Sequence, residues 1–373
     1  MFTPILLANR LRPLLPLCVM GGASIPAWLT IVMWRLLSLP LPSSCYCCVD
    51  DFMWGFYQRL CLFFFENYSG IKISLYGDAV QCFAKKETVL YMSNHQCTVD
   101  WVVTDMLAVR QGNVGGVRYI LKDALQYVPL YGWYFYQHGC VYVRRQGKFQ
   151  AEITNRQLNY LANYPFQFWL VLFPEGTRIN PAKPDVTERS SRYARELGLQ
   201  PLNHVLTPRV GALQAALDKL RQRLDAVYDV TIAYSSTRDQ STGAQLEAPS
   251  MTDFVCGRSG QQLHIRLDRI PISQVPVESA ELKAWCYDRF LRKDRLLSAY
   301  YSKSFDSSHT AVFPDLVESD SVLPLAVTWV PLLVYSAAIT PAIWSSSVRK
   351  FYMLSWLLGS IACILCMRVR KAA

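Results

Sequence analysis

Histidine and aspartate five positions apart, His95 and Asp100, bracket the run Asn94-His95-Gln96-Cys97-Thr98-Val99-Asp100, which follows the apolar stretch Val89 to Ser93. On one continuous helix such positions lie about 140° apart and do not face each other. They meet if His95 sits in the turn before a helix and Asp100 in its first turn, with Thr98 as the N-cap. The carboxylate then accepts from one ring nitrogen and fixes the tautomer, while the other nitrogen can take a proton from a hydroxyl. The spacing alone is weak evidence. The chain has 5 histidines, so an aspartate at the right offset arises by accident about one time in four. A histidine satisfied by a loop carbonyl is the plain alternative.

Phe173-Pro174-Glu175-Gly176-Thr177-Arg178 forms the second group, directly after the apolar run Phe168 to Phe173. A strand feeding a tight Pro/Gly turn would present Glu175, Thr177 and Arg178 at its end, where α/β sheets place their active-site loops. The planar guanidinium of Arg178 can donate two hydrogen bonds to a phosphate, and Gly176 lets the backbone come close to a ligand. A surface β-turn with a Glu–Arg pair reads the same residues equally well. A third group, Gly139-Cys140-Val141-Tyr142-Val143-Arg144-Arg145, is a short strand ending in two cations. One of them could meet a phosphate, or both could end a solvated strand.

These groups need a frame. Strands are expected at Lys72 to Tyr76, Thr88 to Ser93, Arg118 to Leu121, Cys140 to Val143, Phe168 to Phe173, Tyr228 to Ala233 and His264 to Leu267. Helices are expected at Val99 to Arg110, Phe149 to Leu161, Gly211 to Leu224 and Ala280 to Ser298. Their alternation predicts an α/β fold, a mostly parallel sheet sandwiched by helices. Ser235 to Gln262, polar and rich in Ser, Thr, Gly and Gln, reads as a surface loop.

The ends read differently. At 373 residues and 18% charged, the chain has room for one large domain plus membrane segments, and its charge content falls below the soluble norm of about 25%. Leu14 to Trp34 carries no charge and is long enough to cross a bilayer. It follows Arg10 and Arg12 without a small-residue cleavage site after it, so it reads as an uncleaved anchor. Trp54 to Phe65 is too short to span. It reads as an interfacial helix with Arg59 snorkelling, or as a buried core helix. Val322 to Trp344 and Phe351 to Met367 read as a transmembrane hairpin around Arg349 and Lys350, and Arg368, Arg370 and Lys371 favour a cytosolic C-terminus. The expected organisation is a membrane anchor over residues 1–69 (spanning helix near 14–34, interfacial helix near 52–66), a catalytic domain over 70–320, and a C-terminal transmembrane hairpin over 321–373 (helices near 322–344 and 351–367).

A net charge of +10 suits an anionic membrane surface or phosphate-bearing substrates. No zinc-finger spacing or RNA-binding aromatic signature accompanies it, which argues against nucleic acid. The 12 cysteines are scattered. The pairs Cys45/Cys48 and Cys363/Cys366 lack a second pair or a histidine at zinc spacing, so reduced thiols and no metal site are expected. Cys45, Cys47 and Cys48, just after the first apolar run, could carry reversible palmitate.

Together and in this order, the groups resemble the glycerophospholipid acyltransferase family, which includes the bacterial and eukaryotic 1-acylglycerol-3-phosphate acyltransferases. Asn94-His95 to Asp100 is similar to the family's first motif, His-x-x-x-x-Asp. Gly139 to Arg145 resembles the second and Pro174 to Arg178 the third. His204-Val205-Leu206-Thr207-Pro208-Arg209 looks like the fourth. Lys122, in Ile120-Leu121-Lys122-Asp123 and followed by Pro129 to Trp133, also resembles a family position. The resemblance covers about Leu60 to Tyr300. The run Leu62-Phe63-Phe64-Phe65-Glu66-Asn67-Tyr68 and the phrase Asn94 to Trp101 look closest to one animal isoform group within it.

The resemblance implies direct acyl transfer to a lysophospholipid, lysophosphatidic acid first, with acyl-CoA as co-substrate and neither cofactor nor metal. It implies His95 as general base and Asp100 as the group that orients it. It also implies that Asn94, Glu175, Gly176, Thr177 and Arg178 meet the acceptor, with Arg145 and Lys122 as further phosphate contacts. Many relatives carry a hydroxyl residue where this chain has Cys97, which reads as a neutral replacement. Other lysophospholipids or lysocardiolipin are the alternative acceptors, and an inactive lipid-binding scaffold is the alternative of another class. A serine esterase is excluded by the lack of a Gly-x-Ser-x-Gly elbow. The implied setting is the bilayer of the endoplasmic reticulum, with the outer mitochondrial membrane and nuclear envelope also admitted, for a multi-pass protein.

Overall fold

A computed structural model describes residues 12–144, 151–239, 241–256, 261–302 and 313–372. Eight strands lie among them: β1 Lys72–Gly77, β2 Val89–Ser93, β3 Val117–Lys122, β4 Val141–Val143, β5 Trp169–Leu172, β6 Ala226–Tyr234, β7 Gln262–Pro271 and β8 Leu316–Ser321. The chain divides into two compact units. One comprises residues 69–112 and 169–322; the other comprises the N-terminal part up to 68, residues 113–168, and the part from 323 onward.

In the first unit six strands lie in the order β5-β2-β6-β7-β1-β8. β2 runs parallel to both β5 and β6, and β1 parallel to β7. The β6/β7 and β1/β8 pairs are antiparallel. Val89 to Met92, Trp169 to Leu172 and every residue of β6 are buried. Strands covered on both faces read as unbroken apolar runs, which is why these were visible in the sequence. Helices Asp100–Arg110, Gly211–Leu220 and Ser279–Tyr300 follow the expected pattern. Asp229 of β6 fastens the last of them, lying 2.5 Å from both Arg289 Nε and Lys293 Nζ. The stretch expected as a plain surface loop is more ordered. It carries a 3-10 turn at Ser235–Thr237, a bridge between Arg238 and Gln245, and a helix at Met251–Cys256, and it returns the chain antiparallel as β7. β8 was not expected. It is exposed and acidic, Leu-Val-Glu-Ser-Asp-Ser, so it has no apolar pattern to read, as befits an edge strand.

The second unit contains the parallel pair β3/β4 and most of the apolar helices. Leu14–Leu37 and Ser346–Arg370 are long and apolar enough to cross a membrane. The helix expected near Trp54 to Phe65 is instead the second half of a longer one, Ser43–Leu62, continued by a π-turn, Phe63–Tyr68. Val322 to Trp344, expected as one span, is divided into a 3-10 turn at Leu325–Val327 and helices Trp329–Ile339 and Pro341–Trp344. Proline at 341 has no N–H to continue the helical ladder, so the rod breaks there. The π-turn has a tethering role within this unit. Glu66 Oε1 accepts the Leu323 N–H at 2.7 Å, Asn67 Nδ2 donates to the Leu323 carbonyl at 2.7 Å, and Asn67 Oδ1 accepts from the Thr328 hydroxyl at 2.7 Å.

Candidate active site

The loop after β2 is locked before it reaches His95. Buried Asn94 donates to the Ile232 carbonyl at 3.0 Å and accepts the Ile232 N–H at 2.8 Å, so its amide mimics a strand partner of β6. Asp100, fully buried, is the first residue of helix Asp100–Arg110. Its Oδ2 accepts from His95 Nδ1 at 2.7 Å and from the N–H groups of Gln96 and Cys97 at 2.9 and 3.0 Å. Its Oδ1 accepts from the Tyr234 hydroxyl. A carboxylate at a helix start is also favoured by the positive end of the helix dipole. The expected cap, Thr98, does not cap. The cap position falls to Val99, one residue later, and the Thr98 hydroxyl accepts from Arg178.

This geometry sets the tautomer. Asp100 Oδ2 is an acceptor for three donors, so His95 Nδ1 carries the proton and Nε2 presents its lone pair. Nε2 has no protein partner among the described residues. The His95 ring stacks on Phe173 with centroids 4.5 Å apart, and its side chain is 15% exposed, enough for a ligand to reach it.

Phe173 leads into the turn after β5. Gly176 adopts φ +68°, a left-handed conformation that costs glycine nothing, and its N–H closes the turn on Phe173 at 3.0 Å. Glu175 is buried. Its Oε1 accepts the His95 N–H at 2.7 Å and its Oε2 accepts the Leu206 N–H at 2.8 Å. Burial pushes its carboxyl well above the ordinary carboxylate range, opposed by those two N–H bonds. Glu175 thus braces the His95 loop against the segment His204 to Arg209. Thr177 and Arg178 are exposed at the end of the turn, and Arg178 lies on the loop that holds the His–Asp pair, through Thr98.

Lys122 ends β3 in the other unit and is exposed. Arg145 lies outside the described residues. His204 is occupied structurally: its Nδ1 lies 2.9 Å from Gln245 Oε1 and its ring stacks on Tyr301 at 5.0 Å.

Two further residues define the site. Tyr234 was missed from the sequence, and its strand was expected to end one residue earlier. Burial holds its hydroxyl far above the ordinary phenol range, so it remains a donor. Tyr234→Phe leaves Asp100 Oδ1 bare, at a stability cost of about 1–3 kcal/mol. The variant should therefore melt at a lower temperature than the unaltered protein, and thermal unfolding of the purified enzyme checks it. Cys97 is buried, donates to the Pro249 carbonyl at 3.2 Å, and has its thiol pushed up to about 12 by burial. It is no thiolate nucleophile at neutral pH. Cys97→Ser keeps a donor to Pro249, and its activity should stay within about fivefold, the equivalent of about 1 kcal/mol.

Among the described residues one group could offer three metal-ligand atoms, Asp50, Asp51 and His138, all within 4.8 Å of one another. His138 Nδ1 already lies 2.7 Å from Asp50 Oδ2, and Arg118 Nη2 donates to Asp51 Oδ1 at 2.6 Å. Arg118 supplies the positive charge a metal would bring, so the group is read as a buried ion cluster.

Comparison with known proteins adds to this geometry. A family model described as Acyltransferase matches residues 77–235, and one described as Acyltransferase C-terminus matches residues 253–327. The chain is 41% identical over 351 residues to the 1-acyl-sn-glycerol-3-phosphate acyltransferase epsilon of Mus musculus, covering 94% of each. It is 34% identical to the "Probable 1-acyl-sn-glycerol-3-phosphate acyltransferase 5" of Arabidopsis thaliana, covering 74% of this chain and 68% of that one. It is 29% identical to the lysocardiolipin acyltransferase 1 of Danio rerio, covering 65% and 60%. Among solved structures, the 1-acyl-sn-glycerophosphate (LPA) acyltransferase PlsC from Thermotoga maritima aligns with a TM-score of 0.43 at 16% identity, over 80% of this chain and 99% of that one.

Proposed function

The chain belongs to the family of 1-acyl-sn-glycerol-3-phosphate acyltransferases, and from that premise we propose that it transfers a fatty acyl group from acyl-CoA to the sn-2 hydroxyl of 1-acylglycerol-3-phosphate, giving phosphatidic acid. The observation that carries this reading is the His95 ring held by Asp100 at 2.7 Å through Nδ1, with Nε2 left without a protein partner among the described residues. Nε2 takes the proton of the acceptor hydroxyl as its oxygen attacks the thioester carbonyl. The tetrahedral intermediate collapses, the C–S bond breaks, and CoA leaves as a thiolate that the His95 proton neutralises. Asp100, buried and held by Tyr234 and two loop amides, stabilises the imidazolium between those steps. No acyl-enzyme is needed, consistent with the buried Cys97. Arg178 grips the acceptor phosphate, and the exposed hydroxyl of Thr98 is an easily exchanged partner for it in the free enzyme.

The two helices long enough to cross a bilayer support residence in a membrane. The endoplasmic reticulum is the proposed site, with the outer mitochondrial membrane and nuclear envelope as the others, and more than one pass. Carbonate extraction of fractionated membranes tests this.

The experiment on function is a panel. Enzyme purified in detergent receives acyl-CoA with lysophosphatidic acid, other lysophospholipids or lysocardiolipin. Preferred acylation of lysophosphatidic acid is expected. A preference for lysocardiolipin would move the acceptor to that alternative, which the similarity to the Danio rerio protein keeps open. A folded enzyme that acylates none of them would sink the reading.

A further inference from the structure

The turn that presents Arg178 is met by the main chain and the side-chain stem of a second arginine. Arg209 ends the run His204 to Arg209, and its N–H donates to the Pro174 carbonyl at 2.8 Å, which fixes position 209 against the turn. Its Cδ lies 3.9 Å from where a side chain on Gly176 would begin. The segment is braced on both sides: Leu206 N–H on Glu175 at 2.8 Å, and Thr207 N–H on Ser190 Oγ at 2.8 Å. Arg209 is exposed, and its guanidinium lies 5.5 Å over the Tyr193 ring. It forms no hydrogen bond or ion pair with a side chain among the described residues. Other arginines of the same unit are tied to acids, Arg269 to Glu87 and Arg289 to Asp229. An anchored guanidinium that rests on an aromatic face and lacks an acid partner is suited to an incoming anion.

We propose that Arg209 is a second phosphate-binding residue of the reaction, acting with Arg178 at the Pro174–Arg178 turn. The proposal rests on the acyltransferase reading above. Phosphate is the shared chemistry of two sources, the acceptor headgroup and the phosphates of CoA. Glu175, the acid within the turn, does not compete for either cation, because both its oxygens are held by main-chain amides.

The test is steady-state kinetics of full-length Arg209→Gln in detergent, with inorganic phosphate as a competing probe and melting temperature as the fold control. The KM for lysophosphatidic acid should rise about tenfold to hundredfold, inhibition by phosphate should weaken, and kinetics with a neutral monoacylglycerol should not change. A rise confined to acyl-CoA, and lost with a donor lacking the 3′-phosphate, upholds the proposal and assigns CoA as the source. Unchanged KM values for both substrates, or an equal loss of kcat with charged and neutral acceptors, would overturn it and leave Arg209 as a packing partner of Tyr193. Should Arg209→Gln fail to fold, Arg209→Lys keeps the stem and charge without the fork. The same KM should then rise about threefold to tenfold, and no rise overturns the proposal. Wild-type enzyme inactive on every lysophospholipid would instead defeat the acyltransferase reading itself.

Discussion

Replacing His95 with alanine is expected to lower kcat by about 10²–10⁴-fold, the range for a lost general base, with expression, detergent extraction and melting temperature near those of the unaltered protein. The ring is not a keystone of the core. It is partly exposed, stacks on Phe173, and its backbone is held independently by Glu175 through the His95 N–H. Asp100→Asn is expected to fall in the same range for a different reason. An asparagine oxygen can still accept from the Gln96 and Cys97 amides, and an amide nitrogen can still face the Tyr234 hydroxyl, so the loop survives. The negative charge that stabilises the imidazolium does not. Because the two residues act as one unit, the double variant should be little worse than either alone. Activity kept within a few-fold in His95→Ala would remove it as the base and return the inactive-scaffold and alternative-base readings to consideration. Rapid-quench or steady-state acyl transfer from labelled acyl-CoA measures this directly.

Arg178→Ala is expected to lower kcat/KM for lysophosphatidic acid by about 10- to 150-fold, equivalent to the roughly 1.5–3 kcal/mol of a hydrogen bond to a charged group. A neutral monoacylglycerol should be a poor acceptor for the unaltered enzyme and no worse for the variant. Arg178→Lys keeps the charge and loses the planar fork, so it should be impaired by a smaller factor. A loss seen mainly in KM means the phosphate is held equally in ground and transition states. A loss in kcat means the grip also aligns the hydroxyl with His95. The position of Arg178 explains how it could do so: its guanidinium sits on Thr98, inside the loop that Asp100 organises. Normal kinetics in both variants would make Arg178 structural and move the search to Arg209 or to the cations at Lys122 and Arg145.

The parts of the site that the sequence made legible are those whose chemistry is contiguous. His95 and Asp100 lie five residues apart at a strand-to-helix junction, and Pro174 to Arg178 follows an apolar run with turn residues in place, so residue type and local spacing carry the signal. The central strands were legible for the same reason, since a strand buried on both faces must be an apolar run. Only the tertiary structure decided what holds these groups still. Tyr234 meets Asp100 across 134 residues of sequence, Asn94 imitates a strand partner of Ile232, and Glu175 joins two loops through main-chain amides. Each of these depends on hydrogen bonds between groups distant in the chain, which leave no periodicity and no composition bias to read. Thr98 shows the reverse error: the helix begins at Asp100 with Val99 in the cap position, so Thr98 falls one residue outside it and its hydroxyl meets Arg178 instead. At the C-terminal end the uncharged stretch from Val322 measured only hydrophobicity. Where its helices begin and break was decided by Pro341, which cannot extend the helical hydrogen-bond ladder, and by Leu323 and Thr328, whose polar groups are bound to Glu66 and Asn67.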